Sequence, residues 1–128
     1  MSLLEDMVTF LKSEDLAEAD GQDIFRDNCP EAPDSLVVLT EYQGTPIALH
    51  SGHADRSVQV MARDKSATKA KQKADALYSA LCPDEQTLKL TATRWCIMHS
   101  RGVAIKIKTD KTNRVYYGFN VGITTNKD

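Results

Sequence analysis

The chain has 128 residues, 41% hydrophobic and 27% charged, with six Gly and four Pro, which suits one domain with a hydrophobic core and excludes disorder, collagen-like repeats and a multidomain machine. The longest aliphatic run, Leu36 to Leu39, falls far short of the ~18–20 residues that span a bilayer, and no charged-then-apolar leader precedes it, so the expected location is the cytoplasm or a particle assembled there. The net charge of −2 hides a segregation: residues 1 to 35 hold ten Asp or Glu against Lys12 and Arg26, a balance of −8, and residues 36 to 128 hold fourteen Lys or Arg against eight acids, a balance of +6.

Ser2-Leu3-Leu4-Glu5 has the form of a capping box, and Leu4, Met7, Val8 and Leu11 recur at helical spacing, which predicts an amphipathic helix over about residues 3 to 13. The acidic stretch Glu14 to Asp20 is expected to fray, so that residues 1–20 form a helix with a flexible tail ahead of a body at 21–125. A short strand is expected within Gly21 to Phe25, and Pro30 and Pro33 impose an extended or turning path. Leu36 to Tyr42 reads as a strand buried on both faces. Gly44 to Asp55, with Pro46, Gly52, His50 and His53, reads as a long loop that is mobile in the free subunit and ordered on assembly. Val58, Val60 and Ala62 alternate as a half-buried strand. Asp64 or Ser66 then caps a helix whose stripe of Ala67, Ala70, Ala74, Leu77, Tyr78 and Leu81 ends at Pro83.

The last third reads as strands. Trp95, Ile97 and His99 alternate with Arg94, Cys96 and Met98; Val103, Ile105 and Ile107 alternate with Ala104, Lys106 and Lys108; and Val115, Tyr117, Phe119, Val121 and Ile123 mark a third, after a hairpin turn at Thr109 to Asn113. The order α-β-β-β-α-β-β-β predicts an α+β domain, a sheet of five to six mainly antiparallel strands packed by helices on one face. The Val115 to Ile123 face is expected beneath Ala70, Ala74, Leu77 and Leu81.

Enzyme chemistry finds little purchase. His50-x-x-His53 and Cys96-x-x-His99 could supply zinc ligands, but three residues along a strand set Cys96 and His99 on opposite faces. No phosphate-binding Gly-rich loop, nucleophile elbow or paired carboxylates in an apolar setting occur, so no enzymatic turnover, metal or cofactor is expected. Three cysteines at unrelated spacings, Cys29, Cys82 and Cys96, suggest reduced, mostly buried thiols. The feature with chemistry is basic: Lys65, Lys69 and Lys73 share a helix stripe next to Arg63, with Lys71 away from it. That cluster, with Gly44, His50 and His53 of the long loop, is the candidate interaction surface. Lysines in such a stripe either touch phosphates or form the solvated back of an amphipathic helix.

Two resemblances follow. Asp64 to Ala74 resembles the basic, alanine-rich second helix of double-stranded-RNA-binding domains, and the element order matches as far as Leu81. A second resemblance covers about four fifths of the chain: Asp23-Ile24-Phe25, Pro30-Glu31-Ala32-Pro33-Asp34, Tyr42-Gln43-Gly44-Thr45-Pro46, Val58 to Arg63, Leu77 to Leu81 and Asp110 to Val121, taken in order, are similar to the bacteriophage tail-terminator family, including the minor capsid (tail completion) proteins of long-tailed phages and prophages. That resemblance implies a virion structural protein assembled in the bacterial cytoplasm. It implies a ring of six on the tail, monomeric when free, whose partners are further copies, the tail tube protein and head connector proteins, with neither membrane nor nucleic acid. A head-to-tail ring needs two different, complementary patches on each subunit, and the −8 and +6 segments could supply them.

Overall fold

In the computed structural model, which describes residues 2–18, 20–45 and 54–126, the sequence periodicities resolve into two helices and a seven-stranded mixed sheet. The chain order is α1 (Leu3–Ser13), β1 (Ile24–Arg26), β2 (Leu36–Thr45), β3 (Ala54–Asp64), α2 (Ala67–Leu81), β4 (Thr87–Lys89), β5 (Trp95–Ser100), β6 (Ile105–Thr109) and β7 (Val115–Thr125). Spatially the strands run β1-β2-β3-β7-β5-β4, with β6 also on β7. The β1–β2 pair is parallel and the others antiparallel.

The helix ends follow from their caps. Ser2 accepts a hydrogen bond from the Glu5 N–H at 3.2 Å, and Ser66 accepts from the Lys69 N–H at 3.3 Å, each satisfying a donor that the first turn leaves unpaired. Strand alternation then sorts the sheet into two faces. Ile24, Val37, Leu39, Val58, Val60, Ala62, Phe119, Val121, Ile123, Cys96 and Met98 share one face by register and form one core with Leu3, Leu4, Met7, Phe10 and Leu11 of α1 and Ala74, Leu77 and Leu81 of α2. Both helices therefore cover the same face, as the patterning predicts. Tyr78 meets Phe119 edge-on, ring centroids 5.2 Å apart, an arrangement that favours the aromatic quadrupoles.

The differences from the expected elements have local causes. β4 is absent from the alternation pattern because three residues carry no readable period; pairing with Trp95 to Ile97 creates it. The expected strand at Val103 starts only at Ile105. β5 and β6 follow one line along β7, and between Ser100, opposite Val121, and Ile105, opposite Gly118, four residues face two. Arg101 N–H donates to the Asn120 carbonyl inside this interruption, so the segment is an enlarged bulge with more than the usual single extra residue. Gly44 and Thr45 end β2, and Ala54 and Asp55 begin β3, with Thr45 opposite Asp55. The loop expected over Gly44 to Asp55 is thus shorter than its composition suggests, and Pro46 to His53, with the mobility expected of them, lie outside the described residues. The acidic stretch after α1 is pinned as follows: Leu16 N–H donates to the Leu11 carbonyl, Glu18 N–H to the Asp23 carboxylate, and Asp20 bridges Ile24.

One buried polar contact ties these parts together. Arg94, fully enclosed, donates from Nε to Asp6 Oδ2 of α1 at 2.5 Å and from Nη1 to Thr125 Oγ1 of β7 at 2.9 Å. Asp6→Ala leaves that guanidinium buried without its counter-charge and is expected to cost ~3–5 kcal/mol. Leu77→Ala opens the core between α2 and the sheet and is expected to cost ~2–5 kcal/mol. Denaturant melts measure both, and a loss under about 1 kcal/mol for either would remove that residue from the load it is assigned here.

Candidate assembly surface

The structure divides the basic cluster read from the sequence. Alternation along β3 turns Arg63 to the face away from α2, where it is only 3% exposed. Its Nη2 donates to the carbonyls of Pro33 at 2.6 Å and Glu31 at 3.2 Å, its Nε to that of Asp34 at 3.3 Å, and its Nη1 to Tyr116 Oη at 3.3 Å. Arg63 is therefore a structural clamp on the proline segment; it reaches the wall of the cleft of Lys69 and Lys73 but is itself buried. Arg114 is the second clamp. It bonds the Glu31 carbonyl through Nη1, Glu31 Oε2 through Nη2 at 3.1 Å and Asp110 Oδ2 through Nε at 2.8 Å.

Asp110 anchors this corner. Its carboxylate accepts from the N–H groups of Thr112 and Arg114, the Thr112 hydroxyl, Arg114 Nε and Tyr116 Oη, all between 2.8 and 3.0 Å. Partial burial opposes its charge, but these donors outweigh it and hold the carboxyl well below the usual carboxylate range. The hairpin turn was legible as a turn; its role as the anchor of the Glu31 to Asp34 segment was not, because the contact spans 83 positions.

Among the remaining candidates, Lys65 is exposed with Nζ 3.4 Å from Asp34 Oδ2, Lys69 is exposed and Lys73 half-buried. Lys69 and Lys73 line a cleft of about 580 Å³ with Glu18, Asp23 and Gln72. Carboxylates in the same cleft weaken its attraction for a polyanion. Gly44 lies in β2, and His50 and His53 lie outside the described residues.

Potential reactive groups are few in the described region. His99 Nε2 is 3.1 Å from Thr124 Oγ1, whose single proton is donated to Asp55 Oδ1 at 2.7 Å. The hydroxyl proton thus points to the carboxylate, so the imidazole is not placed to remove it, and both His99 and Asp55 lie exposed. Cys96 is buried on the helix face and His99 exposed on the other, and no group of three metal-ligating side chains occurs among the described residues. Burial pushes the Cys82 thiol up to about 11 and raises that of Cys96, which keeps both protonated at neutral pH. Cys29 is exposed, the exception to the mostly buried thiols expected.

The sheet's helix-free face is the larger feature. Tyr42, Trp95 and Ile97 stand on it and are exposed, Trp95 by 47%, and Ile105 and Ile107 of β6 are exposed beside it. Glycines keep part of it low. A Cβ on Gly118 would meet the Val60 carbonyl oxygen at 2.5 Å, and one on Gly122 would meet the Arg101 guanidinium at 2.8 Å. Arg101 therefore lies across the face above Gly122. A monomer rarely leaves so many large apolar side chains in water on one face unless something binds there.

Residues 10–127 match the sequence model of a family described as bacteriophage tail terminator protein. Comparison with curated proteins finds no match. The match covers most of the chain, and the protein belongs to the bacteriophage tail terminator family, which makes it a structural component of the phage tail and of the virion.

The Asp110 anchor has a pH signature. A carboxyl whose pKa is lowered by folding contributes stability that is present above the unfolded value of about 3.9 and is lost as pH falls through the folded value. Asp110→Asn is expected to lower the denaturation midpoint at pH 7, and the gap to the native protein is expected to narrow progressively below about pH 4. A gap that stays constant down to acid would mean that the carboxylate's charge is not what anchors the turn.

Proposed function

We propose that this tail-terminator chain ends the growing tail tube as one subunit of a ring of six, monomeric when free, and presents the ring's other side to the head connector, without catalysing a reaction. The observation that carries this reading is the helix-free sheet face, with Tyr42, Trp95 and Ile97 in solvent while the opposite face is fully furnished with helices. Such a face is suited to a flat protein partner and offers no enclosed, convergent polar site for a small substrate. The partners in this reading are a tail tube end on one side and connector proteins on the other, in a virion assembled in the bacterial cytoplasm, and membership of a tail-terminator family supports it.

The double-stranded-RNA reading loses support from the same geometry. Arg63 is consumed by carbonyls, Lys65 is near Asp34, and Lys69 and Lys73 share their cleft with Glu18 and Asp23. The sheet also continues through β5, β6 and β7 well beyond the element order of that domain.

Tail tubes polymerised with the protein are expected to stop growing and to carry a terminal ring in electron micrographs, because the tube end provides a template that raises the effective concentration of weakly associating subunits. Unchecked growth, together with a salt-dependent gel shift on duplex RNA that Lys65→Gln, Lys69→Gln and Lys73→Gln jointly abolish, would replace this reading by the RNA one.

A further inference from the structure

We propose that the β6 edge of one subunit docks side-on against the acidic segment around Glu14 to Glu18 of a second copy of this chain; the proposal rests on the ring reading and names the contact that builds the ring. Among the described residues β6 pairs only with β7, and its outer edge carries no strand partner. It also carries apolar bulk in water: Val103 is 65% exposed, Ile105 63% and Ile107 40%. Lys106 and Lys108 stand among these residues, both exposed; Lys106 has no ion partner among the described residues, and the Lys108 ammonium lies over the Tyr116 ring, 4.7 Å from its centroid.

The lysines decide what covers the edge. Two β6 edges brought together would set like charges against each other, the usual way an edge strand avoids its own kind. A symmetric contact is therefore disfavoured and an acidic surface favoured. The far edge of the same sheet provides one. The segment that leads from α1 into β1 carries Glu14, Asp15 and Glu18, all exposed and without ion partners among the described residues, and its Glu18 N–H is held by the Asp23 carboxylate just before β1. Of the other charges nearby, Arg26 is matched by Asp20 and Glu5, and Arg114 by Glu31 and Asp34; Asp27 adds a further exposed carboxylate after β1, and Lys12 one exposed cation beside the acids. Leu16, packed at the rim of the core, and Phe25, on the other face of β1, are both only partly buried and add apolar surface at this edge. The contact runs through side chains rather than a continued ladder, because the outward Ile24 carbonyl already accepts the Gly21 N–H at 2.8 Å.

The two patches lie at opposite ends of one sheet. A contact between them is heterologous and repeats head to tail, which closes into a ring when the rotation allows.

The native protein can be tested directly. Isotope-labelled and unlabelled chains are mixed, assembled on tail tubes and treated with a zero-length carbodiimide, which joins lysine to carboxylate. Mixed-label peptides linking Lys106 or Lys108 to Glu14, Asp15 or Glu18 are the expected result. In parallel, Lys106→Glu with Lys108→Glu is expected to lower the fraction of ringed tubes about tenfold, and adding Glu14→Lys with Glu18→Lys to restore most of it, because the charge pair is re-formed in reverse. Circular dichroism confirms that each variant is folded. Rings that form normally, yet cross-link elsewhere and ignore the charge reversal, would overturn this contact and leave the ring reading standing. Native protein that forms no ring at all would remove both.

Discussion

The buried ion pair between Asp6 and Arg94 is the constraint on which the arrangement of this molecule turns. Arg94 sits where the chain enters β5, Asp6 on α1 and Thr125 at the end of β7, so one guanidinium joins the N-terminal helix to two strands that the chain reaches more than eighty residues later. Taking both charges out of water is expensive, and the pair as a whole need not add net stability over an apolar replacement. What it imposes is geometry. A displaced α1 would leave a bare charge in the core, so α1 has one acceptable seat. That seat also sets where the segment leaving α1 emerges, which is beside β1 at one sheet edge.

Much of this fold is readable in the amino-acid sequence because most of its elements form from their own periodicity. The α2 stripe of Ala70, Ala74, Leu77 and Leu81 is buried as the 3.6-residue spacing dictates, and Leu36 to Leu39 is buried on both faces as an unbroken aliphatic run dictates. Where the reading fails, the determinant is long-range. Arg63 looks like the first member of a basic patch because Lys65 and Lys69 follow it, yet strand parity sends it to the other face and to carbonyls some 30 positions away. Arg94 and Asp6 look like ordinary surface charges. Nothing local distinguishes a charge whose partner lies 88 residues distant.

The charge segregation changes meaning in three dimensions. Part of the −8 of the first 35 residues is spent within the molecule: Asp6 on Arg94, Glu31 and Asp34 on Arg114, Glu5 and Asp20 on Arg26. The Glu31 and Asp34 contacts fasten the proline segment across a corner of the helix-free face, and the Asp110 turn sets the angle of Arg114 for that purpose. Of the remainder, Asp23 and Asp27 accept the N–H groups of Glu18 and Glu41, and Glu14, Asp15 and Glu18 are left with exposed carboxylates. A charge count along a chain therefore bounds the field a surface can generate, while the folded pairing decides where that field is expressed.

The strand at Ile105 to Thr109 shows why pattern and burial can disagree without either being in error. The sequence alternates Val103, Ile105 and Ile107 with Ala104, Lys106 and Lys108, the pattern of a strand with one face in a core, yet the folded chain leaves every residue of that strand exposed. Hairpin formation with β7 needs only the turn chemistry of Asp110 and the β7 ladder, so the strand forms whether or not its apolar side is covered. The bulge at Arg101 to Ala104 separates it from β5, whose Cys96 and Met98 do reach the core. An apolar alternation that the domain's own interior does not use is best explained by an interior completed between chains, which is the contact proposed above between β6 and a second copy.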